Sequence, residues 1–368
     1  MFFLCSILDM QPLKGRGAPG NGLSSRFNLA QREADGDWLD AQGDIDGGVP
    51  PLRTSVTVER PKSILARNSS PDIPFDHSLN PYRGCEHGCI YCYARPSHAF
   101  HDLSPGLDFE SRLFAKPDAP ALLRAALMRR GHVPSPLAFG TNTDAYQPIE
   151  REWKIMRGCL EVLAACEHPL TITTKSDRVV RDLDLLAPMA AKGLVAVALS
   201  VTSLDPFVHR TLEPRAPSPR RRLAAIRALS AAGVPVHVSV SPVIPAITDH
   251  EMEAILDAAA EAGARTASYI PLRLPHEVAP LFRAWLEAHY PDRAAKVMAQ
   301  VAALRGGRDN DPRFFARMRG TGVWAQLLRT RFTRACTRLG LNVARVELRQ
   351  DLFRAPLAEG AGAQLRLF

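Results

Sequence analysis

The stretch from Asn80 to Tyr93, NPYRGCEHGCIYCY, places three of the chain's seven cysteines within eight residues. Cys85, Cys89 and Cys92 are spaced C-x₃-C-x₂-C. An iron–sulfur protein that only carries electrons normally supplies four cysteine ligands to a cubane cluster. Three thiolates on one short loop therefore predict a [4Fe–4S] cluster in which one iron is open to chemistry.

A zinc site and a disulfide framework are two other uses of such cysteines. Zinc would need a fourth ligand such as His87 or His98, but structural zinc sites usually combine two separated knuckles, and the sequence offers one. A disulfide framework suits a small secreted chain, whereas this chain is long and its cysteine count is odd. The other cysteines are scattered, at Cys5, Cys159, Cys166 and Cys336. Zinc and unligated buried thiols stay open as alternatives, and a reducing compartment is expected.

Composition predicts one large globular core. The chain has 368 residues, 46% of them hydrophobic and 23% charged, with a formal net charge of +8. The apolar opening Met1–Leu8 is too short for a signal sequence and lacks a basic flank, and Met10 is an alternative start. No stretch approaches the roughly 18 apolar residues of a membrane helix. We expect a cytoplasmic protein that does not engage a membrane.

From about Ile73 the chain alternates short β-rich runs with helical patterns, which is typical of βαβ units and a parallel sheet. The predicted strands end at Tyr82, Gly140, Thr174, Val201, Val240 and Leu272. Six such units joined by right-handed crossovers predict an α/β fold, a partial (β/α)₆ TIM-like barrel. An open doubly wound sheet would show the same periodicity. The predicted parts are an irregular N-terminal arm (1–70), the barrel core (71–305) and a basic, mainly helical C-terminal extension (306–368).

Local signals refine the elements. Residues 149–165 predict one helix, and the apolar run 194–201 predicts a strand buried on both faces. Ser218 before Pro219 predicts a helix start. Thr248 and Glu251 form a capping-box pattern at the start of a later helix.

Polar residues follow the predicted strands, where barrel active sites collect. The runs are GTNTD after strand two, TKS after strand three, SVT after strand four and SVSP after strand five. His276 and Glu277, just past strand six, are candidate acid–base or substrate-binding groups. Strand ends always meet polar loops, but that rule does not require so many hydroxyl and amide groups at one rim.

The C-x₃-C-x₂-C spacing, with the aromatic Tyr91 before the third cysteine, resembles the radical S-adenosylmethionine (radical SAM) superfamily. The resemblance implies an incomplete six-unit barrel with the cluster loop after strand one. It also implies that S-adenosylmethionine chelates the open iron and is cleaved reductively to methionine and a 5′-deoxyadenosyl radical, which abstracts a hydrogen atom from substrate. An electron donor such as flavodoxin or ferredoxin would be needed.

The resemblance also assigns cofactor-binding residues. It places the amino group of S-adenosylmethionine near Thr141, Asn142, Thr143 and Asp144. It places the carboxylate near Lys175, Ser176 and Arg215. It places the ribose near Ser200 or Thr202, and the adenine near Ser239, Ser241 and Tyr269.

Longer motifs are similar to those of an uncharacterised bacterial group that is related to spore photoproduct lyase and often labelled "DNA repair photolyase". The motifs are NPYRGC, YCYAR, TDAYQPIE and PVIP. In the lyase a cysteine past strand two returns a hydrogen atom to the product radical, and tyrosines beside the third cluster cysteine assist. That cysteine's place falls at or next to Thr141 here, which argues against the same reaction. Tyr91 and Tyr93 are the expected catalytic residues, and Cys336 is a further thiol that could reach a site.

The late part of the chain is rich in arginine with aromatic residues interleaved. The arginines are Arg305, Arg308, Arg313, Arg317, Arg319, Arg329, Arg331, Arg334 and Arg338. Such a pattern fits a nucleic-acid surface, and a solvated helix face gives the same count. Two functions follow from the sequence: a radical SAM enzyme, possibly acting on nucleic acid, and an iron–sulfur or zinc nucleic-acid-binding protein without catalysis.

Overall fold

A computed structural model of the chain describes residues 13–22, 24, 26–27 and 52–356. The predictions on Cys5, on the start at Met1 or Met10 and on the last twelve residues lie outside the described residues. The strands in the described part are β1 Ser55–Val58, β2 Leu65–Arg67, β3 His77–Leu79, β4 Tyr82–Arg83, β5 Arg112–Ala115, β6 Leu137–Phe139, β7 Leu170–Thr174, β8 Val195–Ser200, β9 Val236–Val243 and β10 Thr266–Pro271.

The helices are α1 Asp108–Ser111, α2 Ala119–Leu127, α3 Glu150–Trp153, α4 Ile155–Ala165, α5 Leu183–Ala191, α6 Pro206–Leu212, α7 Pro219–Ala231, α8 Met252–Glu261, α9 Val278–His289, α10 Pro291–Leu304, α11 Ala316–Arg319 and α12 Gly322–Leu339. Short 3₁₀ segments span Arg95–His101, Asp177–Asp182 and Asp249–Glu251. No helix in this part of the chain is long and apolar enough to cross a membrane.

The main sheet has seven strands in the order β10-β9-β8-β7-β6-β3-β2. The six strands from β3 to β10 in this sheet run parallel, and β2 pairs antiparallel with β3 at the edge. Within the described residues β2 and β10 do not pair, so the sheet stays open. The predicted α/β fold with six parallel strands is confirmed.

Strand one ends earlier than predicted. It is β3, which stops at Leu79, because Pro81 has no N–H with which to continue the ladder. Tyr82 and Arg83 instead pair antiparallel with β5 in a small sheet of order β1-β5-β4. The strands β1 and β2 lie inside the segment that was predicted to be irregular.

The predicted helix over 149–165 is broken in two. Lys154 adopts φ 52°, and α4 begins after it. The carboxylate of Glu150 explains the break, because it accepts the backbone N–H groups of Met156 (3.1 Å) and Arg157 (3.3 Å) at the new helix start. That carboxylate also accepts from the Tyr82 hydroxyl.

The helix that starts at Pro219 is confirmed, although the side chain of Ser218 makes no capping bond. The capping box at Thr248 and Glu251 is wrong. Thr248 accepts from the N–H of Ile244 (2.9 Å), and Glu251 accepts from the Ser203 hydroxyl (2.6 Å). Both side chains therefore fasten loops at the strand ends, and a 3₁₀ turn precedes α8.

The core lies between one face of the sheet and the helices. Val197 and Leu199 of β8 and Val238 of β9 are fully buried with Ile226 of α7. The other face of β8 is half-buried at Ala196 and Ala198, so the prediction that this strand is buried on both faces is wrong. Small side chains keep that face of the sheet open.

The C-terminal tail, residues 341–354, crosses the amino ends of the strands. Its N–H groups bond the carbonyls of Arg265 (from Asn342, 3.0 Å), Gly193 (from Arg349, 2.8 Å) and Cys166 (from Arg354, 2.9 Å). Arg265 directly precedes β10, and the other two residues lie just before β8 and β7. The tail thus leaves the carboxyl ends of the strands, where the cysteine loop lies, uncovered.

Candidate active site

The cysteine loop, residues 84–93, follows β4 and leads into the 3₁₀ segment at Arg95. Cys85 and Cys89 are each 7% exposed, and Cys92 is half-buried and packs beside both of them. Gly84 has φ 72°, and a Cβ there would lie 2.8 Å from the carbonyl oxygen of Phe109. Glycine is therefore required where the loop passes closest to α1.

Cys85 and Cys89 lie in surroundings that disfavour free thiolates. Burial, with the neighbouring charges of Asp144 and Cys89, raises the pKa of Cys85 well above its ordinary value. Burial raises the pKa of Cys89 to about 12, against the opposing charge of Lys175. A cationic centre is needed before such thiols give up their protons, since thiolates are the metal-binding form.

This donor set fits an iron–sulfur cubane. In the described part of the chain no group of three or more His, Cys, Asp or Glu side chains is arranged to hold a single metal ion. A cubane does not need one, because each of its cysteine thiolates binds a different iron. All six cysteines of the described residues are free of disulfides.

A buried ion pair shapes the cysteine loop. Arg95 is 0% exposed, and its Nη2 lies 2.5 Å from Oε1 of Glu110, which is equally buried. Arg95 also donates to the carbonyls of Cys89 (2.9 Å) and Gly106 (2.9 Å). The guanidinium thus links the loop backbone to α1 and to the segment that precedes it.

The N-terminal arm, residues 13–22, packs on the same pair. The N–H groups of Gly17 (3.0 Å) and Ala18 (2.8 Å) donate to the Glu110 carboxylate, and Arg16 donates to the Glu110 carbonyl (2.7 Å). A Cβ on Gly17 would lie 1.7 Å from the carbonyl oxygen of Gly88. The arm therefore rests directly on the cysteine loop.

Asp144 connects the cysteine loop to the strand ends. Its carboxylate accepts from the Thr174 hydroxyl (2.7 Å) and the Lys175 N–H (2.8 Å), and His87 Nδ1 lies 3.3 Å away. Burial opposes its ionisation, but His87 and these hydrogen bonds lower the pKa of Asp144 to about 2. Both of its carboxylate oxygens are bonded to protein groups, so Asp144 positions the residues around the predicted cofactor site.

Thr143 is also turned inward. Its hydroxyl donates to the carbonyl of Gly84 (2.6 Å), which also accepts from Gln147 Nε2 (3.1 Å). The Gln147 carbonyl oxygen accepts from the N–H of Glu86 (2.9 Å). These hydrogen bonds hold the loop after β6 against the cysteine loop.

Tyr91 lies at the centre of a buried polar group that the sequence did not reveal as a unit. Its hydroxyl donates to the carboxylate of Glu213, and the Thr202 hydroxyl donates to the same carboxylate (2.7 Å). Arg222 donates to the other carboxylate oxygen of Glu213 and to the carbonyl of Ser200 (3.0 Å). Burial is outweighed by Arg222 and His209, and the pKa of Glu213 is well below its ordinary value.

Lys175 stands between this group and the cysteines. Its Nζ lies 5.7 Å from the ring centroid of Tyr91. Burial lowers the pKa of Lys175, but the charges of Cys89 and Glu213 outweigh it and the net shift is upward. A protonated ammonium therefore faces the cysteine loop.

Tyr93 occupies a different position on the rim. It is 52% exposed, and its hydroxyl donates to the carbonyl of Thr141. The Thr141 hydroxyl accepts from Asn80 Nδ2 (3.0 Å), and the N–H of Asn142 donates to Asn80 Oδ1 (3.0 Å). Tyr93, one of the two tyrosines expected to be catalytic, thus contacts Thr141.

Of the other predicted cofactor residues, Ser239 and Ser241 lie near Thr202, whereas the side chains of Ser176 and Tyr269 make separate contacts. Ser239 donates to the Ser241 hydroxyl (3.0 Å), and the Thr202 hydroxyl oxygen lies 3.1 Å from the Ser241 carbonyl oxygen. Ser176 is buried and its hydroxyl accepts from the N–H of Arg178 (3.3 Å). Tyr269 packs its ring against α12, 4.8 Å from the ring of Phe332.

Arg215 is already paired. Its Nη2 lies 2.9 Å from Glu86 Oε1, and its Nη1 donates to the Thr54 hydroxyl (3.3 Å). Glu277 is likewise held, by Arg26 at 2.9 and 3.0 Å and by the Ser24 hydroxyl. The partners in both ion pairs are far apart in the sequence, so no local sequence pattern could have revealed either pair.

The remaining thiols lie away from the cysteine loop. Cys159 and Cys166 are buried in the core behind the sheet, as predicted. Cys336 is buried on α12 and accepts from Asn342, which lies at the amino ends of the strands. The expectation that Cys336 could reach the site is therefore wrong.

Five of the nine late arginines serve the protein's own structure. Arg305 donates only to backbone carbonyls, and four others pair with carboxylates: Arg313 with Asp311, Arg317 with Asp72, Arg331 with Glu253 and Arg338 with Asp257. The composition of the segment therefore overstates its free positive charge.

Comparisons with known proteins agree with this geometry. The model of the radical SAM superfamily matches residues 79–259. An uncharacterised protein of Mycobacterium tuberculosis is 39% identical over 226 residues, which are 61% of this chain and 66% of that relative. An uncharacterised protein of Methanocaldococcus jannaschii is 28% identical over 227 residues, 62% of this chain and 81% of the relative. The chain thus spans 66% of the length of the mycobacterial relative.

Two solved structures share the fold. Both are structures of spore photoproduct lyase, one of them in complex with dinucleoside spore photoproduct. Their TM-scores are 0.56 and 0.55, at 17% identity over 78% of this chain and 80% of the lyase. At this identity the likeness concerns the fold.

The arm contact predicts the effect of one methyl group. Gly17→Ala places a Cβ 1.7 Å from the Gly88 carbonyl oxygen and should lift the arm, so trypsin should cut after Arg16 faster than in the wild type. Gly22→Ala is the matched control, because its Cβ would meet only a Leu281 methyl at 4.0 Å. Mass spectrometry of timed digests measures both rates, and equal rates for the two variants would disprove the contact.

The Tyr91 group predicts a large loss of stability from a small change. Glu213→Gln leaves Arg222 buried without its carboxylate and should lower the free energy of unfolding by about 3–5 kcal/mol. Glu253→Gln, which breaks the part-exposed pair with Arg331, should cost about 0–1 kcal/mol. Urea unfolding of the two variants tests the contrast, and similar losses would show that Glu213 is not a buried anchor.

Proposed function

The chain belongs to the radical SAM superfamily of enzymes, and we propose that Cys85, Cys89 and Cys92 bind a [4Fe–4S] cluster whose fourth iron takes S-adenosylmethionine. The cluster and its ligand would supply the electron and the 5′-deoxyadenosyl radical with which such enzymes abstract a hydrogen atom from substrate. The observation that carries the proposal is the cysteine loop itself: two buried thiols and the half-buried Cys92 on a glycine-dependent turn at the carboxyl ends of the strands.

Lys175 is the residue best placed to bind the carboxylate of S-adenosylmethionine. Its ammonium faces the cysteine loop. Burial lowers the pKa of Lys175, but the charge of the Glu213 carboxylate, joined by that of Cys89 once it is a thiolate, raises the pKa overall. Ser176 is buried just after it, fixed by its bond to Arg178. Arg215 was proposed for the same carboxylate, and it would have to release Glu86 to take part.

The amino group of the cofactor is assigned to backbone carbonyls of residues 141–143. This assignment suits the structure because the side chains there are engaged elsewhere, Thr143 with Gly84 and Asp144 with Lys175. Asn142 donates its N–H to Asn80, so the loop backbone is held in one position.

The ribose and adenine are assigned to the ends of β8, β9 and β10. Thr202 lies beside Ser241, and the carbonyl of Ser200 accepts a hydrogen bond from Arg222. Ser239 is hydrogen-bonded to Ser241, and Tyr269 offers its backbone while its ring packs on α12.

The two tyrosines are proposed to act differently. Tyr91 is buried, and burial and Glu213 raise the pKa of its hydroxyl well above the ordinary value, so it orders the cofactor site from within. Tyr93 is half-exposed at the rim and would face the substrate. With a threonine at position 141, Tyr93 is our candidate for returning a hydrogen atom to the product radical.

The substrate, the electron donor and the location in the cell are also proposals. The structural likeness to spore photoproduct lyase supports a nucleic-acid substrate, and reduction would come from a flavodoxin or ferredoxin in the cytoplasm. The same proposal divides the chain into three parts: an arm (1–70), a radical SAM core (71–305) and a basic extension (306–368).

The proposal predicts a clear difference between two cysteine variants. After anaerobic reconstitution the wild type should hold about four irons per chain and form 5′-deoxyadenosine from S-adenosylmethionine and dithionite. Cys89→Ala should lose the cluster absorbance and the product, whereas Cys159→Ala, a buried thiol of α4, should keep both.

Iron analysis and chromatography of the nucleoside product measure these outcomes. Zinc in place of iron, or deoxyadenosine formation that survives Cys89→Ala, would contradict the proposal. A bound cluster without any cleavage would instead favour a non-catalytic nucleic-acid-binding protein.

A further inference from the structure

Arg273 lies just beyond β10, at the carboxyl edge of the sheet, and its guanidinium is poorly satisfied. Its Nε is buried and has no hydrogen-bond partner. The one acceptor found among the described residues is the thioether sulfur of Met318, 3.3 Å from Nη1. A thioether is a weak acceptor, so this contact does not replace a carboxylate or a carbonyl.

The neighbouring charges make this arginine more unusual. The carboxylate whose charge acts on Arg273 is Asp72, which is bonded to Arg317 at 2.5 and 2.8 Å and to the N–H of Phe315 at 3.0 Å. Arg305 is close as well, but it is satisfied by carbonyls, including those of Pro271 and Leu272 at 2.8 Å each. Asp311, whose charge acts on Arg305, is paired with Arg313. Both carboxylates are therefore engaged by other arginines, and burial together with the charge of Arg317 lowers the pKa of Arg273.

Three fully buried arginines show how a guanidinium is satisfied elsewhere in the described part of the chain. Arg95 and Arg222 each pair with a buried glutamate, Glu110 and Glu213, and Arg305 donates to backbone carbonyls. Arg273 is only partly buried, but within the described residues it has neither kind of partner: no carboxylate lies within 4.0 Å of it, and its buried Nε donates to no carbonyl. The usual partners of the planar donor pair of an arginine are carboxylates and phosphates.

Arg273 borders the active rim. The Cζ of Arg273 lies 5.7 Å from the ring centroid of Tyr93, on the loop that carries Cys92. Tyr93 is half-exposed and contacts Thr141. Lys175, the cation assigned to the cofactor carboxylate, lies instead over Tyr91. Arg273 and Lys175 therefore lie over different tyrosines of the cysteine loop, Tyr93 and Tyr91 respectively.

We propose that Arg273 binds an oxyanion of the substrate, a phosphate or a carboxylate, and so holds the substrate against Tyr93. This inference rests on the proposed function in one respect: it takes the rim around Tyr93 as the place where the substrate lies. Nε and Nη of Arg273 together form the donor pair for the oxyanion. Arg273 is therefore a determinant of substrate class, selecting molecules with an anionic group near the reacting carbon.

The experiment observes the arginine Nε–H groups directly. The full-length protein is labelled with ¹⁵N-arginine, and the Arg273 signal is identified by its loss in Arg273→Lys and Arg273→Met. Inorganic phosphate, acetate and S-adenosylmethionine are then titrated separately. We expect phosphate or acetate to shift the Arg273 signal saturably while the signals of Arg95 and Arg222 stay fixed.

The separate titrations identify the source of the anion. A response to phosphate alone indicates a phosphorylated substrate, and one to acetate alone a carboxylic acid. A response to S-adenosylmethionine alone would assign the arginine to the cofactor and overturn the proposal, as would no saturable response to phosphate or acetate. The wild-type titration decides the matter even if a variant fails to fold.

Variants then measure the contribution of the guanidinium fork. Arg273→Lys keeps the charge but loses the planar donor pair, and should weaken phosphate or acetate binding about tenfold, as measured by titration calorimetry because the variant lacks the Arg273 signal. Arg220→Met, at an exposed position on α7, is the control and should bind as the wild type does. Unchanged affinity in Arg273→Lys would contradict a bidentate site. Absence of iron or deoxyadenosine in the wild type would instead overturn the proposed function, because the arginine signal is read without either.

Discussion

The buried ion pair between Arg95 and Glu110 is the contact on which the site depends. Arg95 holds backbone carbonyls of the cysteine loop, and Glu110 holds backbone N–H groups of the arm at Gly17 and Ala18. Neither charge could stay buried alone, because removing one partner of such a pair typically costs about 3–5 kcal/mol. The loop, the segment after it and the arm therefore form one unit, and the thiols are placed by contacts that lie outside the C-x₃-C-x₂-C motif.

Much of the fold could be predicted from the sequence because parallel strands leave a strong record. The strand β7 ends at the predicted Thr174, and β8, β9 and β10 end within three residues of the predicted positions. The failures occurred where a side chain competes with local propensity. Glu150 caps a new helix start, and Thr248 and Glu251 bond loops instead of each other. Such choices depend on tertiary partners that periodicity does not report.

The candidate site was predictable in part. The three cysteines and the polar strand ends stand in the sequence as motifs, and Lys175 and Thr202 do lie together with Tyr91. The pairing of Glu213 with Arg222 was hidden, because each looked like an ordinary loop or helix residue. The late arginines suggested more free positive charge than the structure shows. Their number can be counted in the sequence, but their carboxylate and carbonyl partners within the protein cannot. Arg273 likewise has no signal in the sequence, because its surroundings are set by residues remote in the chain such as Asp72 and Met318.

Three cysteine ligands would leave one iron of the proposed cluster for a small-molecule ligand. Electron–nuclear double resonance of the reduced cluster, with S-adenosylmethionine labelled with ¹⁵N in its amino group, tests this directly. We expect a hyperfine coupling of the labelled nitrogen to the cluster, which is lost when the unlabelled cofactor is used. A reduced cluster that shows no coupling to the label at saturating cofactor would contradict it.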